Sequence, residues 1–348
     1  MQTTPSPKNK DLIILNKKAP NNSRSFLFFQ KFVIFIIFLR YNKKHKIMEI
    51  GYACINMTLG SQKPRITTNR GMIKKTFQNK GIEYASSLAL ENVKDLIHII
   101  NWNHKNNINF YRMSSDIFPW MSEYNFEDLP DYSIIKSKLS EAGSLANSYN
   151  QRLTFHPGPF NVLCSPKENV VKNTISELNK HSKIMDMMKL SKTHYNKINI
   201  HVGGVYGDKI SAMNRWVDNF SKLDDGVKSR LTIENDDKES CYTVEDLMYI
   251  HNRTKVPIVF DYHHHSCHSG GITHKKALSI AVSTWPESIT PAVHISEPRD
   301  EKNKRAHHDY IKSKVDNYGL NIDIMMEAKA KELAVIEYRN TYKELVLS

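Results

Sequence analysis

The chain has 348 residues, of which 40% are hydrophobic, so it is long enough to bury a large core. Its formal charge is +13, but residues 1–47 hold ten Lys and Arg with one acid, which leaves +4 for the rest. The net charge is therefore weak evidence for a nucleic-acid partner. Four scattered cysteines without a CxxC pair argue against a zinc finger and indicate a reduced, intracellular protein, with nucleus or cytoplasm left open.

Residues 1–47 read as a basic extension of the chain. An apolar stretch, residues 26–39, is interrupted by Gln30 and Lys31. A spanning helix needs about 20 apolar residues, so we predict no membrane span, and no small-residue cleavage site of a signal peptide follows. We predict a non-catalytic extension, disordered or partly hydrophobic. Translation from Met48 is an alternative.

From Met48 onward, short β-rich segments alternate with amphipathic helical ones, which predicts a parallel sheet with crossover helices. Helical spacing is clearest for Leu90, Val93, Ile97 and Ile100. Eight such units match an α/β fold of the (β/α)₈ TIM-barrel type, which usually takes about 250 residues. We predict one barrel domain over residues 48–340. The predicted strands are Glu49–Ile55, Ile108–Met113, Arg152–Phe155, Lys197–Ile200, Leu231–Ile233, Pro257–Phe260, Thr290–Val293 and Leu320–Met326.

Nearly every predicted strand ends at a polar residue of a type that enzymes use. These residues are Asn56, Ser114 with Ser115, His156, His201, Glu234, Asp261, His294 and Glu327. Active sites of such barrels lie at the carboxyl ends of the strands. We therefore expect these side chains to meet in one pocket.

Three carboxylates and several imidazoles are more than one divalent ion needs. The predicted ligands are His156, His201, Glu234, Asp261, His264, His294, His307 and Glu327. A mixed nitrogen and oxygen set suits Mn, Zn or Fe better than Mg or Ca. Several ions a few ångströms apart are the usual apparatus of phosphodiester hydrolysis. Because a single strand-end histidine is often structural, the prediction depends on the whole set.

A glycine-rich turn follows the fourth predicted strand. It lacks the spacing and the lysine of a P-loop. Gly203 and Gly204 would let backbone amides approach a phosphate, although a purely structural turn explains them equally well.

From Met48 to about Asn340 the chain resembles the ultraviolet damage endonucleases. The order of short motifs along one barrel carries the resemblance. They are GYACIN (51–56), NWN (101–103), FYRMSSD (110–116) with FP (118–119), FHPG (155–158), NIHVGG (199–204), TIEND (232–236), FDYHHH (260–265), VHISEP (293–298), HHDYI (307–311) and MMEAKAKE (325–332).

The resemblance implies a DNA repair endonuclease that acts on damaged double-stranded DNA. It implies a cut immediately 5′ to cyclobutane pyrimidine dimers, 6-4 photoproducts and, more weakly, abasic sites, leaving a 3′-hydroxyl and a 5′-phosphate. It also implies two or three divalent ions, typically Mn²⁺. Carried over by motif, the catalytic residues are Glu234, Asp261, Glu327 and His264.

The same resemblance assigns the remaining roles. His294 joins the three carboxylates around the central ions, while His156, His201, His264 and His307 complete the coordination or contact the scissile phosphate. The predicted contacts with DNA and its lesion are Tyr52, Asn56, Phe160, Gly203 and Gly204.

The chain departs from the family pattern at three positions. Pro159 stands where many members have the Gln that precedes a wedge aromatic, here Phe160. Ala292 stands where many bacterial members have a Lys that can be modified into a metal ligand. Glu123 stands near the position of a ligand His, so either it substitutes as an oxygen ligand or a third ion binds weakly.

Two other classes of function remain open on the sequence. One is a different metal-dependent barrel enzyme, either an abasic-site endonuclease or a sugar isomerase. The other is a non-enzymatic DNA-binding or metal-binding protein, but such a protein should have lost a central carboxylate. No protein partner is indicated, and a monomer is the default expectation.

Overall fold

The computed structural model describes residues 48–343, so the predictions on residues 1–47 lie outside the described residues. Each of the eight predicted strands is present, with ends that shift by at most three residues. The strands are β1 (Ile50–Ala53), β2 (Phe110–Arg112), β3 (Arg152–Thr154), β4 (Ile198–His201), β5 (Leu231–Glu234), β6 (Ile258–Val259), β7 (Ala292–Ile295) and β8 (Asp323–Met326).

The strands form a closed parallel barrel. One ladder runs β3-β2-β1-β8-β7 and a second runs β4-β5-β6. Parallel bridges Phe155↔Ile198 and Asp261↔His294 join the two ladders at both seams. Each strand therefore neighbours the next one along the chain, and β8 returns to β1, which confirms the predicted fold class.

Helices cover the outside of the barrel. They are α1 (Met57–Gly60), α2 (Lys74–Lys105), α3 (Tyr132–Ser148), α4 (Glu168–Met187), α5 (Lys209–Phe220), α6 (Asp225–Lys228), α7 (Val244–Thr254), α8 (Tyr262–Cys267), α9 (His274–Ser283) and α10 (Glu332–Thr341). The helical spacing noted in α2 has the expected cause, since Val93, Leu96 and Ile100 are fully buried. No helix within residues 48–343 is long and apolar enough to cross a membrane.

The connection from β7 to β8 differs from the expected helical crossover. Residues 296–322 contain bends and turns but no helix. Charged and polar residues dominate this stretch, so it offers no apolar stripe for packing a helix on the barrel.

The two ends of the barrel carry different kinds of polar residue. At the amino ends of the strands, the Arg152 guanidinium pairs with Asp323 at 2.8 Å, and both side chains are almost completely buried. Arg152 Nε also donates to the Tyr195 carbonyl at 2.8 Å. Polar residues at this end of a barrel generally serve stability, whereas those at the carboxyl end serve chemistry.

One buried carboxylate ties the last helix to the first. Glu332, at the start of α10, is fully buried. Its carboxylate accepts hydrogen bonds from the backbone amides of Met57 (2.8 Å) and Thr58 (2.7 Å) at the start of α1. The anion therefore satisfies amides that a helix start leaves without partners.

We expect Glu332→Gln to lower the free energy of unfolding by about 1–3 kcal/mol, the scale of losing buried hydrogen bonds to a charged acceptor. Urea denaturation would measure the change. Glu337→Gln on the exposed side of the same helix is the control and should stay within about 0.5 kcal/mol of the parent. Equal effects of the two substitutions would contradict the capping role of Glu332.

Candidate active site

Glu234, the last residue of β5, lies at the centre of the carboxyl end of the barrel and is fully buried. Its Oε2 atom lies 3.1 Å from His156 Nε2 and 3.1 Å from His294 Nδ1. Its Oε1 atom lies 3.3 Å from His264 Nδ1. Side chains from β7 and from the segments after β3 and β6 thus meet on one carboxylate.

Glu327 forms a second centre beside the first. His294 Nδ1 lies 3.1 Å from Glu327 Oε1, so the imidazole stands between the two glutamates. The Arg112 guanidinium, at the end of β2, forms an ion pair with the same carboxylate. His307 is more peripheral, with Nδ1 3.9 Å from Glu327 Oε2 and 28% of its side chain exposed.

Asp261 completes the carboxylate set and also starts α8. Its Oδ1 accepts a hydrogen bond from the His264 amide at 2.7 Å, as an N-cap does. Its Oδ2 lies 3.9 Å from His264 Nδ1. The Asn235 side chain donates to the Asp261 carbonyl and accepts from the Asp261 amide. These two bonds hold the backbone that carries the carboxylate.

Three overlapping groups of side chains could each hold a metal ion. Within each group, the donor atoms lie within 4.8 Å of one another. The groups are His156, His201 and Glu234; His156, His294 and Glu327; and Glu234, Asp261 and His294. Because the groups share His156, Glu234 and His294, they form one continuous cluster of candidate donors.

Buried polar atoms at the centre support that assignment. Glu234 Oε1, Asp261 Oδ2 and His294 Nδ1 have no hydrogen bond of good geometry within the described residues. The 3.1 Å approaches of His294 Nδ1 to carboxylates are close but poorly directed for hydrogen bonding. Because buried polar groups are normally paired, such atoms fit a divalent cation bound by imidazole and carboxylate.

Three of the imidazoles around Glu234 differ in their preference for a proton. Burial lowers the pKa of His156 to about 4, against the attraction of Glu234. Burial also opposes charge on His201, but Glu234 and Asp236 raise its pKa to about 9. For His264, Asp261 and Glu234 overcome burial and raise the pKa to about 11. Protons would therefore compete with a metal ion for the same imidazole nitrogen atoms.

The three carboxylates also differ in the direction of their pKa shifts. Burial opposes ionisation of Glu234, yet His294 and His201 hold its pKa well below the usual value. Burial likewise opposes ionisation of Glu327, but Arg112 and His294 hold its pKa well below the usual value. For Asp261, burial prevails and raises the pKa to about 6. The centre thus contains buried negative charge that a bound cation would stabilise.

Sequence reasoning missed three polar side chains that support the centre. Arg112 pairs with Glu327, and the Asn199 amide donates to Glu234 Oε2. Lys197 is fully buried, with Nζ 3.1 Å from His294 Nε2, and burial lowers its pKa to about 7. Lys197, Asn199 and His201 alternate along one strand, so strand periodicity was the available signal that all three point inward.

Three of the residues predicted to contact DNA lie at the rim of the site. Phe160 is 88% exposed. It lines a cavity of about 730 Å³ together with Gly203, Gly204, His201 and His264. Phe160, Gly203 and Gly204 therefore lie on the same cavity as two of the predicted metal ligands.

The prediction that Tyr52 and Asn56 contact the lesion does not agree with their position. Both side chains are fully buried. The Tyr52 hydroxyl donates to Asn103 Oδ1 at 2.7 Å and accepts from the Asn56 amide at 2.8 Å. Asn56 Oδ1 caps α1 by accepting from the Leu59 amide at 2.8 Å. In this conformation the two residues hold the turn after β1 and cannot reach a base.

The three departures from the family pattern have distinct surroundings. Pro159 lines the rim cavity beside Phe160. Ala292 is fully buried in a small apolar cluster with Phe110 and Met325. Glu123 has an exposed side chain and belongs to none of the three donor groups found among the described residues.

Comparison with known proteins agrees with this arrangement. A family model described as UV-endonuclease UvdE matches residues 48–346. A UV-damage endonuclease of Schizosaccharomyces pombe is 36% identical over an alignment of 308 residues, which covers 84% of this chain but only 50% of that protein. A UV DNA damage endonuclease of Bacillus cereus is 34% identical over 302 residues, 83% of this chain and 92% of that protein.

Solved structures give the same assignment. The crystal structure of SacUVDE matches with a TM-score of 0.75 at 30% identity, covering 86% of this chain and 99% of that one. Endonuclease IV from Thermus thermophilus matches with a TM-score of 0.51 at 10% identity, covering 72% of this chain and 94% of that one, which shows a shared fold alone. Together with the family model, these matches show that the chain belongs to the UV-damage endonuclease family of DNA repair enzymes.

Proposed function

We propose that this chain cuts DNA immediately 5′ to ultraviolet photoproducts and leaves a 3′-hydroxyl and a 5′-phosphate. Its substrates would be duplexes with cyclobutane pyrimidine dimers or 6-4 photoproducts, with abasic sites cut more weakly. The observation that carries the proposal is the set of three overlapping donor groups that share His156, Glu234 and His294. Centres with several adjacent ions are suited to phosphodiester hydrolysis.

The proposed cofactor is Mn²⁺, with two or three ions per site. The ligands would be His156, His201, Glu234, Asp261, His264, His294, His307 and Glu327. When bound, such ions act as Lewis acids on the phosphodiester and activate water for attack. Imidazoles among the ligands favour Mn²⁺ over Mg²⁺ or Ca²⁺, which prefer all-oxygen sites.

The protein's own side chains orient this centre. Asn199 donates to Glu234 Oε2, which holds the carboxylate, while Oε1 has no hydrogen bond of good geometry within the described residues. Lys197 contacts His294 Nε2 from inside the barrel, which leaves Nδ1 directed at the two glutamates. Such partners fix the orientation of metal ligands and raise affinity for the ion.

Lesion recognition would depend on the rim of the site. A photoproduct pairs and stacks poorly, so extruding it costs less than extruding a normal base. Phe160, at 88% exposure, would insert between bases, while Pro159 cannot supply the polar contact of a Gln. Discrimination would therefore come mainly from the deformability of the DNA.

A single duplex assay tests the proposed function. The protein is incubated with an end-labelled duplex that contains one thymine dimer, with and without Mn²⁺, and the cut is mapped. We expect a cut directly 5′ to the dimer that needs the metal, disappears with a chelator and is absent from undamaged DNA. Cutting only at an abasic site would reassign the chain to abasic-site cleavage and would implicate Pro159 as the altered lesion reader.

Three further assignments belong to the proposal. The catalytic unit would be residues 48–340, and residues 1–47 would be a non-catalytic extension, in keeping with the family match that starts at residue 48. The four cysteines, Cys54, Cys164, Cys241 and Cys267, are free, which supports a reducing, intracellular compartment. The protein would act on damaged DNA as a monomer.

A further inference from the structure

The rim of the site holds an aromatic side chain that the family motifs did not single out. Within residues 48–343, the aromatic side chains that are exposed by more than a third are Phe160 (88%) and Tyr206 (49%). Both line the cavity of about 730 Å³ that also contains His201 and His264. Exposed apolar surface that concentrates at one place commonly marks a binding site.

The backbone of Tyr206 is held in an uncommon conformation. Its φ is 50°, in the left-handed region that bulky side chains rarely adopt. Gly203 (φ 106°) and Gly207 (φ 84°) flank it. Strain of this kind persists only where surrounding contacts enforce it, and it is concentrated at functional sites.

Those surrounding contacts can be identified. The Gly204 carbonyl accepts hydrogen bonds from Cys164 Sγ and the Tyr242 hydroxyl, both at 3.3 Å. A side chain on Gly204 would lie 3.6 Å from the Tyr206 ring, so the ring packs closely over this glycine. The Arg215 guanidinium lies 5.7 Å from the ring centroid. Tyr206 is therefore anchored by the loop and by Arg215, and about half of its surface remains open to solvent.

We propose that Tyr206 is a stacking platform for a nucleobase extruded from the duplex at the damaged site, on the same cavity as Phe160. The inference rests on the proposed function, because it names how that site holds its DNA. Lys238 lines the same cavity and suits a phosphate beside an extruded base, whereas Arg305 in that lining is paired with Asp237. Stacking on an aromatic ring needs no sequence reading, which matches an enzyme that responds to damage rather than sequence.

A purely structural role gives a different expectation. If the ring only covers Gly204 and Arg215, any side chain of similar bulk should replace it. If it stacks on a base, a flat aromatic ring is required. Tyr206→Phe and Tyr206→Leu therefore separate the two roles, while Tyr206→Ala removes the platform.

The full chain is tested on a duplex with one thymine dimer and 2-aminopurine opposite the lesion. Binding is measured by anisotropy, extrusion by the rise in 2-aminopurine fluorescence, and folding by the thermal melt of each variant. The matched control is Tyr249→Ala, on the outer face of α7, where the Arg253 guanidinium lies 3.5 Å from the ring centroid. Like Tyr206, Tyr249 packs against an arginine, but it does not line the rim cavity.

We expect Tyr206→Ala and Tyr206→Leu to bind the damaged duplex about 10-fold to 100-fold more weakly, the scale of losing one base stack. Tyr206→Phe should bind within about threefold of the parent, and Tyr249→Ala should match it. The proposal is overturned if Tyr206→Leu binds as well as Tyr206→Phe, or if Tyr206→Ala binds like the parent. If Tyr206→Ala fails to fold, the comparison of Tyr206→Leu with Tyr206→Phe tests the stacking role.

The parental chain separates failure of this inference from failure of the proposed function. A parent that cuts at the dimer while Tyr206→Ala binds normally would remove only the stacking role. A parent that neither binds nor cuts damaged duplex would remove the proposed function and the stacking role together.

Discussion

Glu234→Gln should reduce nicking of a dimer-containing duplex by at least about 10³-fold while leaving binding to that duplex within a few-fold of the parent. The substitution keeps the size of the side chain but removes a charge that belongs to two of the three donor groups. Loss of about 4 kcal/mol of transition-state stabilisation corresponds to 10³ in rate. Such a loss is expected when ions that stabilise the phosphodiester are displaced. In the proposed function the rim supplies most of the contacts with DNA, so binding should survive.

Single-turnover cleavage in saturating Mn²⁺ and anisotropy on the same duplex would measure the two quantities. Glu287→Gln is the matched control, because it makes the same change on an exposed residue in the loop before β7. It should cut at the parental rate. A Glu234→Gln protein that cuts at that rate would show that the ligand assignment is wrong, and loss of binding with loss of cutting would argue for misfolding instead.

At the opposite end of the barrel, we expect Asp323→Ala to lower the free energy of unfolding by about 3–5 kcal/mol, because it leaves the Arg152 guanidinium buried without its counter-charge. The two side chains are 1% and 3% exposed, and Nη1 lies 2.8 Å from Oδ2. Carbonyl groups of Thr290 and Tyr195 still accept from Arg152, but they carry no full charge. Urea denaturation monitored by tryptophan fluorescence would measure the change.

The exposed pair Lys138 and Glu141 on α3 provides the comparison for Asp323→Ala. Removing Glu141 by Glu141→Ala should change the free energy of unfolding by less than about 1 kcal/mol, as is usual for surface ion pairs. The double substitution Arg152→Met with Asp323→Leu should recover much of the stability lost in Asp323→Ala. If Asp323→Ala is as stable as Glu141→Ala, the buried pair does not hold this end of the barrel together.

The sequence by itself determined the barrel and the residue types at the carboxyl ends of its strands. Alternating strand and helix patterns predicted eight parallel strands, and all eight are present. In a closed parallel barrel the carboxyl ends of all strands must meet at one face. The residue types at or near the carboxyl ends of the strands were therefore sufficient to predict convergence, and the donor atoms do lie together in overlapping groups. These residues are His156, Glu234, Asp261, His294 and Glu327.

The tertiary structure decided which polar side chains face the site and which serve the fold. Tyr52 lies in β1 and Asn56 just after it, but contacts with Asn103 and the start of α1 bury them. Glu332 binds amides 274 and 275 positions away, and Arg152 pairs with Asp323 across 171 positions. No local pattern encodes such partners, because burial and pairing depend on which distant segments the closed barrel brings together.

The same reason explains why Tyr206 and Lys197 were missed. An exposed tyrosine after a glycine pair is common in any loop, and its role becomes visible only when Phe160 is found on the same cavity. A lysine just before a strand is usually solvated, yet closure of the barrel places the Lys197 ammonium group 3.1 Å from His294 Nε2. The pattern of residue types thus determined the chemistry at the strand ends, and packing between distant segments determined the supporting contacts.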